Sequence, residues 1–337
     1  MAVKPDAALM GVTFFLLFRD QDLRDVWMVV RDAKTVWIWA AVISMCVYIF
    51  CGGYSIRVLM KGRSKVTIPQ CLEYSFLEIF FSAITPSSTG GQPMQLRAMA
   101  KDGHPGSDST GALIAITLLY KLSFLWLCGL FFLIEFRYVA ATMKSIRPLA
   151  FLGLFLNVAL ISFLIIVLFS RRLTNALIRL SVRILGKLHF VKNVPDMMDR
   201  MQEKLEEYHE CSQFFRRNPK QIMKTFGVLT IQRLAILVIP YCIYKSFGMT
   251  GQNLFHILAT QLIINLCCDM LPIPGAVGIS EAIFLSLFGP IFSERNLYPA
   301  VLLSRGISFY FLLVVSAVAI VIFKMFKAIR RKRMLYS

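Results

Sequence analysis

Two short polar segments interrupt a chain that is otherwise rich in apolar residues, and their composition suits a ligand site. Residues 86–93 contain two serines, a threonine, two glycines and a glutamine between two prolines. Residues 272–278 contain two prolines and two glycines. Lipid cannot satisfy free backbone N–H and C=O groups, so such breaks occur at membrane depth only where protein or a water-filled cavity surrounds them. One break in each half of a chain is typical of a transporter-type binding site.

The first segment has the composition of an anion site. Backbone N–H groups at a glycine turn and at the start of a helix attract phosphate or carboxylate, and Arg97 is a natural bidentate partner for phosphate. The alternative is an ordinary turn in which serine or threonine caps the next helix, with Arg97 as an anchor at the cytoplasmic surface. The candidate binding residues here are Ser87, Ser88, Thr89, Gly90, Gly91, Gln92, Gln95 and Arg97.

The second segment is followed at once by an acidic residue, Glu281. An ionisable residue inside a membrane segment is by default a functional hypothesis with a partner, and Arg305, Arg233 and Arg97 are the candidate partners. The alternative is a purely structural ion pair between Glu281 and Arg305. The candidate binding residues of this half are Pro272, Pro274, Gly275, Gly278, Glu281, Asp269, Arg233 and Arg305. Lys121 and Asn265 are weaker pointers, and we expect Asn265 to bond a neighbouring helix.

Known catalytic and metal-binding patterns are missing from the sequence. It contains no nucleophile–base arrangement, no Walker-type phosphate loop and no His or Cys spacing typical of a metal site. We therefore expect no enzymatic activity, no catalytic residue, no cofactor and no metal. The formal net charge is +18, but the basic residues flank apolar segments, where they set topology and attract anionic headgroups. We expect no nucleic-acid partner.

The elements that must position these residues are membrane helices, since 57% of the 337 residues are hydrophobic. Apolar segments fall at about residues 8–18, 35–57, 67–85, 109–135, 148–170, 222–247, 253–271, 279–292 and 297–324. Residues 22–32 resemble an amphipathic surface helix. We predict an all-α polytopic bundle with about six full spans, forming a single domain over residues 1–337.

Lys and Arg residues in the loops set the orientation. The loop after the second apolar segment, the connector of about residues 171–221 and the C-terminus are all basic, so all three should be cytoplasmic. Both termini are then cytoplasmic. Residues 67–107 must enter from the cytoplasm and return to it, whereas residues 253–292 must enter from outside and return there. These side assignments predict two re-entrant hairpins of opposite orientation, which together form an inverted repeat. A competing topology makes residues 67–85 a full span.

At these same positions the chain resembles the membrane region of the lysylphosphatidylglycerol synthase/flippase family, including its stand-alone flippase-like members. The resemblance lies in residues 81–95, 207–210 and 271–281, in matching order and spacing. It implies a multi-pass protein of the bacterial cytoplasmic membrane that moves phospholipid, often aminoacylated or otherwise modified, between leaflets. Two-part members carry a further domain that attaches lysine from charged tRNA. Because the sequence given ends at Ser337, we expect no synthase activity.

These observations predict a phospholipid translocase with anionic or aminoacylated phospholipids as its partners. Its lipid species, direction of transport and self-association stay open. Two alternatives also stay open. One is an ion-coupled transporter of small solutes with a narrow cavity closed to lipid, and the other is a non-transporting scaffold for a separate lipid-modifying enzyme.

Overall fold

The computed structural model describes residues 28–85, 88–169, 217–269 and 276–335. In chain order the helices are α1 (Thr35–Met60), α2 (Ile68–Ile84), α3 (Gly91–Lys101), α4 (Gly106–Ile134), α5 (Phe136–Thr142), a 3₁₀ turn (Met143–Ile146), α6 (Arg147–Phe169), α7 (Pro219–Leu237), α8 (Ile239–Ser246), α9 (Leu254–Cys268), α10 (Ile279–Phe288), α11 (Glu294–Arg305), a π-helical turn (Gly306–Phe311) and α12 (Leu312–Leu335). These described ranges contain no strand, so the predicted all-α class is confirmed.

Five stretches are long and apolar enough to cross a membrane. They are Thr35–Met60, Gly106–Ile134, Arg147–Ile166, Pro219–Ser246 and Glu294–Ile329. Each reaches the length of about 20 residues that a bilayer requires. Of the roughly six predicted spans, these five are present. The predicted segment 8–18 lies outside the described residues, as do most of the surface helix 22–32 and most of the connector 171–221.

The first break separates two helices that pack against each other. Thr67 opens α2 with a capping box, since its backbone N–H donates to Gln70 Oε1 at 2.9 Å. At the other end, the Thr85 hydroxyl accepts from the Gly90 N–H at 2.9 Å. A Cβ on Gly91 would lie 2.8 Å from the carbonyl oxygen of Glu78, so only glycine allows α3 to begin this close to α2. The helix–break–helix pattern predicted for residues 67–107 is therefore present.

The second break also joins two short, packed helices. The Asn253 side chain caps α9 by accepting from the Phe255 N–H at 3.2 Å. After the break, α10 begins behind Gly278, whose φ of 90° lies in the region that favours glycine. The helices α9 and α10 have 15 and 10 residues and are too short to span a bilayer alone. The membrane path of both pairs, and thus the re-entrant inverted repeat, stays a prediction.

Helix α1 packs against α2, α7 and α8. Close approach depends on small residues, as is usual between membrane helices. A Cβ on Gly53 would overlap the backbone of Cys71 in α2, and one on Gly153 would overlap the carbonyl of Leu266 in α9. Phe124 and Phe288 lie in one apolar core that joins α4 to the second helix pair.

The outer surface carries large apolar side chains, as expected of a protein surrounded by hydrocarbon. Trp39, Leu133, Phe155 and Val314 are each more than 60% exposed. A soluble monomer would rarely expose so many large apolar side chains. Together with the five candidate spans, this surface identifies a multi-pass membrane protein.

A polar cluster joins the last helix to the first helix pair. The Lys327 ammonium donates to Asp102 at 2.7 and 3.0 Å and lies 2.7 Å from the Glu73 carboxylate. The Tyr74 hydroxyl donates to the same Asp102 at 2.7 Å. Because Glu73 is in α2 and Asp102 ends α3, this cluster ties α12 to both helices of the pair.

Candidate ligand-binding site

A polar cavity of about 300 Å³ lies inside the bundle. Ser88 of the first break and Ala276, which precedes α10, both line it, together with residues of α7 to α11 and the π-helical turn. Its polar lining residues are Ser88, Arg233, Gln261, Asn265, Asp269, Ser280, Glu281, Ser304, Arg305 and Ser308. Apolar contacts come from Ile264, Phe284, Val301 and Phe309 among others. Residues adjoining both breaks therefore line one cavity.

Glu281 and Arg305 form one charged pair in this lining. Glu281 is 4% exposed, and its Oε1 accepts from Arg305 Nε at 2.6 Å. Its Oε2 accepts from the Gly278 N–H at 2.7 Å and from the Ser280 hydroxyl at 2.8 Å. Arg305 Nη2 also contacts Ser280. The carboxylate thus caps the start of α10 while it neutralises an arginine at the end of α11.

Asp269 is the centre of a second charged group. Its Oδ2 accepts from the Lys121 ammonium of α4, and its Oδ1 lies 3.9 Å from Arg233 Nη2 of α7. The latter separation is an ion pair but exceeds a hydrogen-bond length. Asp269 follows directly on α9, so this group joins three helices where the second break begins.

The Arg233 guanidinium is held by aromatic rings. Its central carbon lies 3.7 Å from the centre of the Tyr120 ring and 4.7 Å from that of Phe124. These are cation–π distances. The hydroxyls of Tyr120 and Tyr48 lie 3.4 Å apart, which links the ring to α1. Arg233 is 5% exposed, so its position is set by packing and not by solvent.

Several of the predicted residues meet in the cavity. Ser88, Asp269, Arg233, Glu281 and Arg305 all line it. Of the proposed partners of Glu281, Arg305 forms an ion pair with it. Arg233 forms an ion pair with Asp269 instead. Gly278 binds the Glu281 carboxylate through its N–H.

Other predicted residues lie away from the cavity lining. Arg97 is exposed on α3. Gln95 is buried and donates to the carbonyl of Tyr74, and the exposed Gln92 contacts Thr117 of α4. Thr89 and Gly90 form the turn that leads into α3, whose first residue is Gly91. Ser87, Pro272, Pro274 and Gly275 lie outside the described residues.

Gln261, Ser304 and Ser308 line the cavity but were not among the sequence candidates, whereas Asn265 was a weaker pointer. Gln261 and Asn265 are one helical turn apart on α9, and Gln261 Nε2 donates to Asn265 Oδ1 at 3.0 Å. This bond lies within one helix, and the expected bond of Asn265 to a neighbouring helix stays a prediction. Ser304 and Ser308 are also four residues apart. Polar residues four positions apart in an apolar segment lie on the same face of a helix, and this spacing was the sequence signal that could have identified them as lining residues.

No group of three or more potential metal ligands occurs among the histidines, cysteines and carboxylates within the described ranges. The cavity instead combines two guanidinium groups, two carboxylates, hydroxyls and amides. Such a set can bind a ligand that carries both a negatively charged group and hydrogen-bonding groups.

Comparison with known families gives one extensive match. A family model described as "Lysylphosphatidylglycerol synthase TM region" matches residues 6–316. Comparison with individual curated proteins gives no match. The family match covers both breaks and all the cavity-lining residues.

Proposed function

Because this chain belongs to the family of lysylphosphatidylglycerol synthase transmembrane regions, we propose that it moves phospholipid between the leaflets of the bacterial cytoplasmic membrane. One observation carries the proposal. A cavity lined by two arginines and two carboxylates is also lined by Ser88 and Ala276, one residue from each interrupting segment, in a bundle with an apolar exterior. The headgroup would occupy this cavity while the acyl chains remain in the surrounding hydrocarbon.

The energetic reason is the barrier that hydrocarbon presents to a charged headgroup. Burying an unpaired ion in an apolar medium is prohibitive, and each ionised group in the membrane needs a partner or water. The cavity supplies both charge signs and several hydroxyls. Its volume of about 300 Å³ is at the lower end for small-molecule sites, which fits a headgroup but not a whole lipid.

The proposal extends to orientation and energetics. Both termini would be cytoplasmic, as the basic loops indicate, and the partners would be anionic or aminoacylated phospholipids. The protein would act as a translocase and not as an enzyme. Transport would be passive, coupled to ions or driven by the membrane potential, because the sequence has no nucleotide-binding motif.

Transport can be tested in proteoliposomes of phosphatidylglycerol with a fluorescent phosphatidylglycerol in both leaflets. A membrane-impermeant reductant quenches only the outer leaflet, so translocation appears as loss of the protected fraction. We expect the protein to accelerate this loss over empty vesicles and Glu281→Gln and Arg305→Ala to slow it. Arg97→Gln, at an exposed position outside the cavity lining, is the matched control. Equal rates for the protein, both variants and empty vesicles would refute the proposal.

A further inference from the structure

The four charged residues that line the cavity, Arg233, Asp269, Glu281 and Arg305, differ in how many hydrogen bonds they make. Glu281 and Arg305 bind each other, Ser280 and the Gly278 backbone. Asp269 is bound by Lys121. For Arg233, by contrast, the buried Nε and Nη2 atoms have no hydrogen-bond partner within the described part of the chain. An arginine that lines a cavity and has buried donors without a hydrogen-bond acceptor is suited to bind an anion.

The described groups around Arg233 leave these two donors without a hydrogen-bond acceptor. Tyr120 and Phe124 contact the guanidinium through their rings, which stabilises the cation without using its N–H groups. The Asp269 carboxylate lies 3.9 Å from Nη2, and its other oxygen is bound by Lys121. Lys121 therefore holds Asp269 and offsets its charge, which weakens both the attraction of the carboxylate for Arg233 and its repulsion of an incoming anion.

From this arrangement we infer that Arg233 is the oxyanion-binding residue of the cavity and that the Glu281–Arg305 pair is not. A guanidinium presents its donors in a planar fork that matches two oxygens of a phosphate. The ligand chemistry is a tetrahedral oxyanion, which is the phosphodiester of a lipid headgroup if the proposed function holds. The inference deepens that proposal, and free phosphate is the other source of the same chemistry.

Calorimetric titration of the purified full chain in detergent tests this role. The probes are dihexanoyl phosphatidylglycerol, dihexanoylglycerol, which lacks the phosphate, and inorganic phosphate. We expect the wild type to bind the phosphate-containing lipid and not dihexanoylglycerol. Loss of charge-assisted hydrogen bonds in Arg233→Gln should weaken binding about ten- to a hundredfold. Arg233→Lys keeps the positive charge but loses the planar arrangement of donors. Its affinity should lie between those of the wild type and Arg233→Gln.

Two controls keep the result interpretable. Arg97→Gln should bind like the wild type, because Arg97 is exposed and outside the cavity lining. The charge-conserving Arg233→Lys variant tests the role even if Arg233→Gln fails to fold. Arg233 variants that bind the lipid like the wild type would overturn the inference, as would a wild type that binds both lipids equally or binds neither lipid nor phosphate.

The remaining outcomes separate this inference from the proposed function. If inorganic phosphate binds with the same dependence on Arg233 and the lipid does not, the residue role stands and the ligand is a free anion. If lipid binding depends on Arg233 but proteoliposomes show no translocation, the inference stands and the transport proposal fails. If translocation occurs and neither binding nor transport responds to Arg233→Lys or Arg233→Gln, the inference fails alone.

Discussion

Replacing Glu281 by glutamine should destabilise the protein by removing one charge from a buried pair. Glutamine has nearly the same shape and can still accept the Gly278 N–H, since either residue can complete a capping box. The substitution therefore leaves the start of α10 capped and changes mainly the charge. Arg305 is then left without its carboxylate partner, whose bond to Nε is 2.6 Å long.

The expected magnitude follows from burial. Removing one partner of a buried ion pair costs about 3–5 kcal/mol. The Glu281 side chain is 5% exposed, but that of Arg305 is 21% exposed, so the arginine retains some hydration. We therefore expect Glu281→Gln to lower the free energy of unfolding by about 3 kcal/mol, the lower end of that range. The double variant Glu281→Gln/Arg305→Gln should recover part of this loss.

Reversible unfolding in mixed micelles, followed by circular dichroism, measures these changes through a double-mutant cycle. The Arg63–Asp108 pair is the matched control, because it has an N–O distance of 3.1 Å but side chains 28% and 26% exposed. Asp108→Asn should cost less than about 1 kcal/mol. A coupling energy below about 0.5 kcal/mol between positions 281 and 305 would refute the reasoning.

Three further predictions concern packing, charge and water access. Gly91→Ala should destabilise the fold and slow transport because its Cβ would force α2 and α3 apart, whereas Gly227→Ala, with open space around it, should be neutral or stabilising by up to about 1 kcal/mol in thermal unfolding. Lys327→Gln should lower stability by about 1 kcal/mol by breaking its two carboxylate contacts, and the difference from wild type should shrink at high salt. In a cysteine-free background, a water-soluble thiol reagent should label Ser308→Cys, which lies in the cavity lining. It should not label Val314→Cys, because Val314 is 62% exposed on the apolar surface that faces lipid. Equal labelling of both variants would contradict the cavity assignment.

The sequence was sufficient for the helical architecture because membrane helices leave a strong local signal. Continuous apolar segments fix the five spans within a few residues of their observed ends. The two breaks were visible because proline and glycine interrupt those segments. The pairing of Glu281 with Arg305 was one of three possibilities, since composition shows that a buried carboxylate needs a cation but not which cation is near.

The position of Arg97 could not be predicted from the sequence, because it depends on the rotation of a helix. Arg97 is only a few residues from the first break, yet α3 packs so that Gln95 faces inward and Arg97 outward. Arg233, far away in sequence, reaches the cavity because α7 packs against both α1 and α4. Likewise, Lys121 was a weak pointer until the tertiary fold placed Asp269 beside it.

The cavity coincides with several irregularities of the backbone, and the physics of the bilayer explains why. Ser88 and Ala276 line it with φ values of 54° and 49°, which are unusual for residues with a side chain. Pro240, at the start of α8, and the π-helical turn Gly306–Phe311 also contribute to the lining. Each irregularity disturbs regular helical hydrogen bonding, and hydrocarbon cannot satisfy the groups that are freed. Their convergence on one polar cavity is what a path for a charged headgroup would require, because the same water and side chains that solvate the headgroup also satisfy the broken helices.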